Sequence, residues 1–502
     1  MKKKYAYILV LTCLLASQVV LANDLTIENV NYDAQAKTLT FDISWKNAWY
    51  MNPDFHDGAW IFAKYKAANS NQWKHVDFTG ATAEGGVMII RNEEVGFMVY
   101  APVLSGEPFD LAPRTFTISN VQPLTPGGMP VLNPSFKVFG VEMVHIPEGD
   151  FYAGDVESDN SIRSGSENTP RLITRQASRV FYQDGNDAVG NYDLLPDSYP
   201  NGYGDFYIMK YEVTQGMYAE FLNTLNKAQQ QAMTGHNING GEDYSRYAMS
   251  PYSNSNFYVA SNNNYNVNDF TYIVGPEEAP AEYPITYSMD FTNSDAPGSA
   301  GDGYGKAATM LTPAQLINFL DWAGLQPMTE LQYEKAARGF DQPVPGEYAW
   351  GTSNLTNIQN ILNGGTDTEV ASNTGEGLAN IAFSPMRVGF AATGTTNRLS
   401  SGASYFGVMN LSDNALELTM PLRTGMEPTL FSTLGDGEIA PDASLSLRLT
   451  ELSVRYKGGA ILELERAVSD RSSSFVVDNA YKPNKLELVD LLWVRMGGRG
   501  VR

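Results

Sequence analysis

Residues Trp322–Gly339 read WAGLQPMTELQYEKAARG and predict a short extended segment followed by a capped helix. Thr329 is suited to the N-cap position, and Gln332 follows it at the spacing of a capping box. Glu330 falls in the first turn, where a carboxylate interacts favourably with the positive end of the helix dipole. Gly339 is suited to end the helix. Local physical chemistry therefore predicts one short helix, a feature that many folds contain.

Further motifs surround this segment in a fixed order. They are VEMVHIPEGDFYAG at Val141–Gly154, FYIMKYEVTQGMYAEFLN at Phe206–Asn223, YAWG at Tyr348–Gly351, YFGVMNLSDNALEL at Tyr405–Leu418, RYKGGA at Arg455–Ala460 and GGRGVR at Gly497–Arg502. Over about residues 138–502 the chain resembles the formylglycine-generating enzyme family, whose domains are also called sulfatase-modifying factors. Within the helix segment the matching residues are Pro327, Thr329, Glu330, Tyr333, Glu334 and Ala336–Gly339, whereas Gln326 and Met328 depart from the family pattern. The resemblance implies an irregular α+β domain of the C-type-lectin type.

The resemblance also implies a particular chemistry, which this chain lacks the residues to perform. Family members with oxidase activity use two cysteines shortly after the strand that RYKGGA resembles, and these bind copper(I), a soft metal that prefers thiolates. Here the corresponding positions fall at about Glu463 and Val468, and Cys13 is the only cysteine. We therefore predict no copper, no catalytic residues, and a binding or structural role. The alternative, an enzyme of the same superfamily with an unrecognised active site, stays open.

Calcium is the second cofactor that the resemblance implies, because the family holds this hard ion with oxygen ligands, including backbone carbonyls. The candidate ligands form two sets, Ser412, Asp413, Ala415 and Glu417 in the first, and Asn360, Ile361 and Glu376 in the second. Two residues of the first loop, Asp413 and Leu416, depart from the family pattern. The alternative interpretation is that Glu417 is an exposed acid on an acidic protein.

The histidines do not suggest a metal site. His56, His75, His145 and His236 are far apart in the sequence, and only the last two lie in the region of family resemblance. Their separation predicts packed or surface roles.

Length and charge limit the classes of partner. The chain has 502 residues, of which 43% are apolar and 18% charged, as expected of a globular protein with two domains. A formal net charge of −22 predicts a surface that repels nucleic acid. Similar cysteine-free domains occur in envelope proteins, so the resemblance makes an envelope protein or a glycan the expected partner.

The N-terminus predicts export. Lys2–Lys4 form a basic region, an apolar run follows, and Val20–Ala22 is a small-residue cleavage site, so Met1–Ala22 is interpreted as a signal peptide. The alternative is a lipoprotein signal at Cys13, which a poor preceding motif disfavours. The expected location is the periplasm, the cell surface or the extracellular space, with no transmembrane segment in the mature chain.

Residues 23–137 predict an all-β domain. Seven short apolar or alternating runs are separated by turn residues, which favours an immunoglobulin-like or fibronectin-like sandwich. The predicted strands are Leu25–Val30, Thr38–Trp45, Trp60–Lys64, Trp73–Phe78, Val87–Arg91, Val95–Ala101 and Thr115–Ile118. A Pro/Gly-rich connector, Thr125–Lys137, precedes the second domain at residues 138–502.

An insertion of the second domain, about residues 229–305, is rich in Asn, Ser, Tyr and Gly. Tyrosines among amides suit stacking on a polar ligand such as a glycan, whereas the alternative is a segment that only covers the surface. Two helices flank the insertion, one capped by Thr214 and one by Thr312 with Pro313 in its first position.

Overall fold

The structure is a computed structural model. It describes residues 25–502 except for 69, 78–79, 85–87, 105–107, 126, 159–160, 164–168, 176–178, 183–191, 195–198, 235–236, 240–245, 250–255, 259–263, 267–271, 277, 279–283, 292–300, 381–383, 423–432, 446–452, 461–466, 471–474 and 477–494. The predicted signal peptide, Cys13 and Glu463 therefore lie outside the described residues. The described part is mostly β with a few short helices, a β-rich α+β fold.

The regular elements described in the N-terminal part are all strands. They are β1 (Thr26–Asp33), β2 (Thr38–Ala48), β3 (Tyr50–Asn52), β4 (Phe55–Lys66), β5 (Lys74–His75), β6 (Ala81–Ala83), β7 (Ile89–Glu93), β8 (Gly96–Tyr100) and β9 (Phe109–Ile118). Each of the seven predicted strands overlaps one of these. The additional strands β3 and β6 are each three residues long, too short for an alternating pattern to be recognised.

Most of the remaining strands are short. They are β10 (Ser135–Ile146), β11 (Phe151–Ala153), β12 (Ile162–Arg163), β13 (Arg171–Ile173), β14 (Arg179–Tyr182), β15 (Tyr192–Leu194), β16 (Phe206–Met209), β17 (Asn256–Tyr258), β18 (Asn264–Asn266), β19 (Ile273–Val274), β20 (Ser288–Met289), β21 (Gln326–Pro327), β22 (Thr356–Asn357), β23 (Ile361–Leu362), β24 (Val370–Ala371), β25 (Leu378–Ala379), β26 (Leu416–Thr419), β27 (Ser453–Lys457), β28 (Phe475–Val476), β29 (Met496–Gly497) and β30 (Gly500–Val501). The helices are α1 (Gln215–Leu222), α2 (Lys227–Met233), α3 (Pro313–Trp322), α4 (Glu330–Arg338) and α5 (Arg398–Ser401).

The predicted helix boundaries are confirmed. Thr214, Thr312 and Thr329 are the N-caps of α1, α3 and α4, and their side chains accept backbone N–H groups of the first turn. Thr329 and Gln332 form the predicted capping box, and Gly339 ends α4 with φ 76°. These features depend on residues close in sequence, so local patterns are sufficient to predict them.

Two sheets organise the N-terminal part. One has the order β1-β2-β9-β6, and β4, β8 and β7 belong to a larger sheet. Apolar side chains from both sheets, among them Phe41, Ile43, Ile61 and Val99, form one buried cluster.

The larger sheet continues into the C-terminal part, with the order β21-β30-β16-β10-β4-β8-β7. Strand β10 pairs with β4 from Ser135 opposite Lys66 to Val144 opposite Asp57, and it also pairs with β16. The predicted domain boundary at 137/138 thus falls inside β10. The two parts share backbone hydrogen bonds across this sheet instead of being joined by a free connector.

The C-terminal end of α3 is capped by residues from distant parts of the chain. Lys64 Nζ donates to the carbonyl of Trp322 at 2.7 Å, and the indole of Trp60 donates to the carbonyl of Ala323 at 2.8 Å. Arg502 donates to the carbonyl of Gly324 at 2.8 Å. Positive charge at this end offsets the negative end of the helix dipole. Two residues of β4 and the C-terminal Arg502 therefore complete the hydrogen bonding at the end of this helix.

Two of the histidines that are far apart in sequence meet in the fold. His56 on β4 and His145 on β10 lie with ring centroids 4.8 Å apart, because these strands are neighbours. His56 Nε2 is 2.9 Å from the Tyr207 hydroxyl, and His145 Nδ1 donates to the carbonyl of Asp54 at 2.9 Å. Both side chains are buried, and burial, followed by the charges of His145 and Arg91, lowers the pKa of His56 to about 3.

This burial predicts acid sensitivity. The folded state holds His56 neutral, whereas the unfolded chain takes up the proton near pH 6.5, so the unfolded state binds more protons below that pH. The free energy of unfolding should fall as the pH drops from 6.5 toward 3. We expect urea unfolding to show a weaker pH dependence in His56→Asn, which cannot titrate, than in the wild type. Equal pH dependences would contradict the assignment.

Candidate functional site

A group of buried charged residues surrounds Glu334 on α4, in the segment that carries the family resemblance. One carboxylate oxygen of Glu334 accepts a hydrogen bond from Lys457 Nζ at 2.8 Å. The other accepts from the backbone N–H of Gly154 at 2.6 Å, from Ser469 Oγ at 3.2 Å and from Arg338 Nη1 at 3.3 Å. The side chains of Glu334, Arg338 and Lys457 are at most 1% exposed. We call this group, with Glu347, the Glu334 network.

Arg338 extends the network to a second acid. Its Nε donates to Glu347, its Nη1 to the carbonyl of Tyr152 at 2.9 Å, and its Nη2 to Ser469 Oγ at 2.8 Å. Burial alone would raise the pKa of Glu334, but Lys457 and Arg338 hold this pKa below its usual value. Every charge in the network therefore has an opposite charge beside it, which is the condition for keeping ions buried.

Glycine is required where backbones approach the Glu334 network. Gly154, which donates to Glu334, has φ 82°, and a Cβ atom there would lie 1.7 Å from the carbonyl oxygen of Ile162. Beside Lys457, a Cβ on Gly459 would lie 2.4 Å from the carbonyl oxygen of Ser412. These contacts explain glycines in two of the motifs by packing.

The first set of candidate calcium ligands lies around a second buried ion pair. Glu417 Oε1 accepts from Arg499 Nε at 2.7 Å and lies 2.5 Å from Nη2, and both side chains are 0% exposed. The interpretation of Glu417 as an exposed acid is therefore wrong. The guanidinium of Arg499 already supplies a cation at this carboxylate, so the arrangement of Glu417 does not fit a calcium ion.

The resemblance offers the backbone carbonyls of Ser412, Asp413 and Ala415 as ligands, and other polar groups of these residues form hydrogen bonds within the protein. The carboxylate of Asp413 accepts from the backbone N–H of Asn380 and from the side-chain amide of Asn410, both at 3.0 Å. The hydroxyl of Ser412 accepts from the N–H of Ala349 at 3.0 Å, and the N–H of Ala415 donates to Glu212 at 2.8 Å. Burial raises the pKa of Asp413 to about 6.

Glu212 is a buried acid that the sequence interpretation overlooked. Its second oxygen accepts from Asn414 at 2.9 Å, and burial and the nearby Glu417 raise its pKa well above the usual value. Glu212 occurs in the EVT part of a motif, and its hydrogen bond to Ala415 spans 203 positions of sequence. Nothing in the local pattern indicates so distant a partner.

The second set of candidate calcium ligands lies nearer the surface. The carboxylate of Glu376 accepts from Thr352 Oγ1 at 2.7 Å and from Asn354 Nδ2 at 3.1 Å. The carbonyl of Asn360 accepts from the N–H of Ser372 at 2.9 Å, and Ile361 begins β23. No hydrogen bond joins Glu376 to Asn360 or Ile361, all of which are described residues. The set supplies the hard oxygen donors that calcium requires.

The positions equivalent to the copper ligands of the family are only partly described. Val468 is 0% exposed, and its backbone N–H donates to the carbonyl of Glu347 at 2.8 Å. Within the part of the chain that the structure describes, no group of three or more His, Cys, Asp or Glu side chains is arranged to hold a metal ion. Among the same residues, no helix is long and apolar enough to cross a membrane.

Neither comparison made with known proteins identifies a relative. No protein-family model matches the chain, and no curated protein matches it. The resemblance to formylglycine-generating enzymes therefore stays a proposal that depends on the motifs themselves.

The described parts of the Asn/Tyr-rich insertion are anchored in the core. Ile238, Ala248, Met249 and Tyr272 are each at most 3% exposed and belong to the main apolar cluster. Gln230 Nε2 donates to the carbonyl of Ile285 at 2.7 Å. Between these anchors, β17 and β18 form a hairpin in which Asn256 lies opposite Asn266.

Disrupting the Glu334 network should be costly. Replacing Glu334 by Gln keeps the shape of the side chain but leaves the buried ammonium of Lys457 without its carboxylate, a loss that typically costs about 3–5 kcal/mol. We expect urea unfolding to show that the free energy of unfolding of Glu334→Gln is lower than that of the wild type by about this amount.

The matched control for this prediction is Glu220→Gln, which breaks the ion pair of Glu220 with Lys137 at 2.7 Å. These side chains are 17% and 21% exposed, so the expected loss is about 1 kcal/mol or less. Similar losses in the two variants would mean that the Glu334 network does not stabilise the fold in the manner described.

Proposed function

We propose that this chain is an exported, non-catalytic binding or structural protein of the cell envelope. It is built on a sulfatase-modifying-factor scaffold of the C-type-lectin type, preceded by an immunoglobulin-like or fibronectin-like sandwich. The observation that carries the proposal is the Glu334 network. Glu334 and Arg338 of the family-like segment bind one another and further buried charges in the interior, so they support the scaffold instead of facing a substrate.

The absence of a second cysteine in the whole chain also supports a non-catalytic role, because the family's oxidase chemistry needs a thiolate pair. Incubation of the purified protein with copper(I) and a sulfatase-motif peptide tests this part of the proposal. Aldehyde formation on the peptide would contradict it.

The hairpin of β17 and β18 is the proposed contact with an envelope protein or a glycan. Its segment contains Asn256, Phe257, Tyr258, Asn264 and Tyr265, amide and aromatic side chains that suit hydrogen bonding and stacking. The hairpin lies between two anchored ends, so its removal need not disturb the core.

Partner capture should therefore depend on this hairpin. Asn256 and Asn266 are paired, so a short Gly-Ser turn can replace the segment between them. We expect this replacement to abolish capture on a glycan array and in pull-downs from envelope extract, with little change in melting temperature. The control is a double replacement of Thr393 and Thr395 by Ala, in an exposed turn elsewhere. Undiminished binding by the hairpin variant would move the contact to another surface.

We further propose that calcium, the remaining cofactor suggested by the resemblance, binds at Asn360, Ile361 and Glu376. An ion that binds only the folded state adds about 2.7 kcal/mol at about 100 times its dissociation constant. Calcium should then raise the melting temperature of the wild type relative to a chelator, and Glu376→Gln should lose the response. Glu417→Gln should melt lower in both solutions, because it leaves Arg499 without a carboxylate, but should keep the calcium response. Superimposable wild-type melts in calcium and chelator would refute calcium binding.

A further inference from the structure

Three charged side chains meet inside the shared sheet, away from the Glu334 network. Lys210 Nζ lies 2.9 Å from Asp57 Oδ2 and 3.3 Å from Glu142 Oε2. The side chain of Lys210 is 7% exposed, and those of the two acids are 2% exposed. One ammonium therefore faces two carboxylates in an environment that excludes solvent.

Strand pairing brings these residues together. Asp57 on β4 lies opposite Val144 on β10, so Asp57 and Glu142 are diagonal neighbours on one face of the sheet. Lys210 follows Met209, which pairs with Met143, and its backbone N–H donates to the carbonyl of Glu142 at 2.9 Å. The side chains are positioned by backbone hydrogen bonds, not by flexible loops.

Two other buried lysine–carboxylate pairs show what is different here. Lys457 meets Glu334 at 2.8 Å, but Arg338 also faces that carboxylate and helps to hold its pKa below the usual value. Lys306 meets Glu369 at 2.7 Å, but both oxygens of Glu369 also accept backbone N–H groups at 2.6 Å. Despite burial, Lys457 and Arg338 keep the Glu334 carboxylate in the ionised form, which is a poor acceptor for an amine. The oxygen of Glu369 that faces Lys306 also accepts a backbone N–H.

The carboxylate of Asp57 accepts a backbone N–H, from Trp49 to Oδ1 at 2.8 Å, and burial raises its pKa, an effect that Lys210 only partly offsets. Burial opposes the charge on Lys210, but Asp57 and the other nearby acidic groups still raise the pKa of Lys210 well above its usual value, so the neutral pair is the minor form from which the reaction starts. Transfer of a proton from the ammonium to the carboxylate turns a buried ion pair into a neutral amine and a neutral acid, and burial favours neutral forms. A second carboxylate, Glu142, lies within reach of the nitrogen to relay protons. An amine, a carboxylic acid and a proton relay held in contact are the components of amide formation.

We propose that Lys210 and Asp57 condense to an intramolecular amide, with Glu142 as the catalytic residue that relays protons. After proton transfer from the ammonium to the Asp57 carboxylate, the amine lone pair attacks Cγ of the acid. Glu142 takes a proton from the nitrogen and delivers it to the departing hydroxyl group. The Cγ–O bond breaks, the Nζ–Cγ bond forms, and one water leaves. Glu142 ends in its starting protonation state, and neither an oxidant nor a cofactor is consumed.

A small cavity lies beside Glu142. It is lined by Glu142, Val141, Met209 and Tyr211, among others. The product would join β4 covalently to the chain just after β16, across 153 positions of sequence. A link that closes so long a loop restricts the unfolded chain strongly. It would tie the N-terminal sandwich to the C-terminal part independently of noncovalent contacts.

Mass spectrometry of the purified full-length protein tests the proposal. The wild type should weigh one water molecule less than the mass calculated from its own sequence. Its protease digest should contain a branched peptide joining the segments around Asp57 and Lys210, resistant to reductant. The pairs Lys306–Glu369 and Lys457–Glu334 serve as internal controls and should appear as unlinked peptides. Recovery of the Asp57 and Lys210 peptides separately, from protein shown to be folded, would overturn the proposal.

Two conservative variants assign the roles. Lys210→Arg keeps the positive charge but has no primary amine, and Glu142→Gln keeps the shape but removes the relay. Both should have the full calculated mass and melt at a lower temperature than the wild type, with circular dichroism showing that each is folded. A linked Glu142→Gln protein would exclude Glu142 as the relay. A water loss that persists in Lys210→Arg would exclude Lys210 as the amine. The wild-type peptide map tests for the amide between Lys210 and Asp57 even if a variant fails to fold.

Discussion

The carboxylate of Glu334 holds together four segments of the chain that are distant in sequence. It binds Arg338 on its own helix, the backbone at Gly154, Lys457 on β27 and Ser469. Its full burial makes each of these partners necessary, because an unpaired charge in the interior costs far more than a surface charge does. The carboxylate therefore joins α4 to the segments of Gly154, Lys457 and Ser469.

The connection between the two halves is a second constraint. Strand β10 pairs with β4 from the N-terminal half and with β16 from the C-terminal half, so one sheet crosses the predicted domain boundary. Lys64 and Trp60 add side-chain hydrogen bonds from β4 to the end of α3. Relative movement of the halves would break backbone pairing and buried polar contacts together. The two parts are therefore expected to behave mechanically as one unit.

Local sequence patterns predicted what depends on local interactions. The caps at Thr312 and Thr329 are decided within one helical turn, and they were predictable for that reason. The partners of Glu417 and Glu334 were not predictable from local patterns, because Arg499 and Lys457 lie 82 and 123 positions away in the sequence. The contact between His56 and His145 was not predictable, because their proximity depends on which strands pair, a property that periodicity does not determine. The contacts around Glu334 show that this residue and its charged partners act in the interior.

The central claim is that the charged residues of the family-like segment act as a structural network. A double-mutant cycle measures this directly, with Glu334→Gln, Lys457→Met and the double variant compared by urea unfolding. The two groups are in contact at 2.8 Å, so the account predicts a coupling free energy in the range of about 0.5–3 kcal/mol. The double variant should lose less stability than the sum of the single losses. Strictly additive losses would contradict the account, because they would mean that Glu334 and Lys457 stabilise the protein independently.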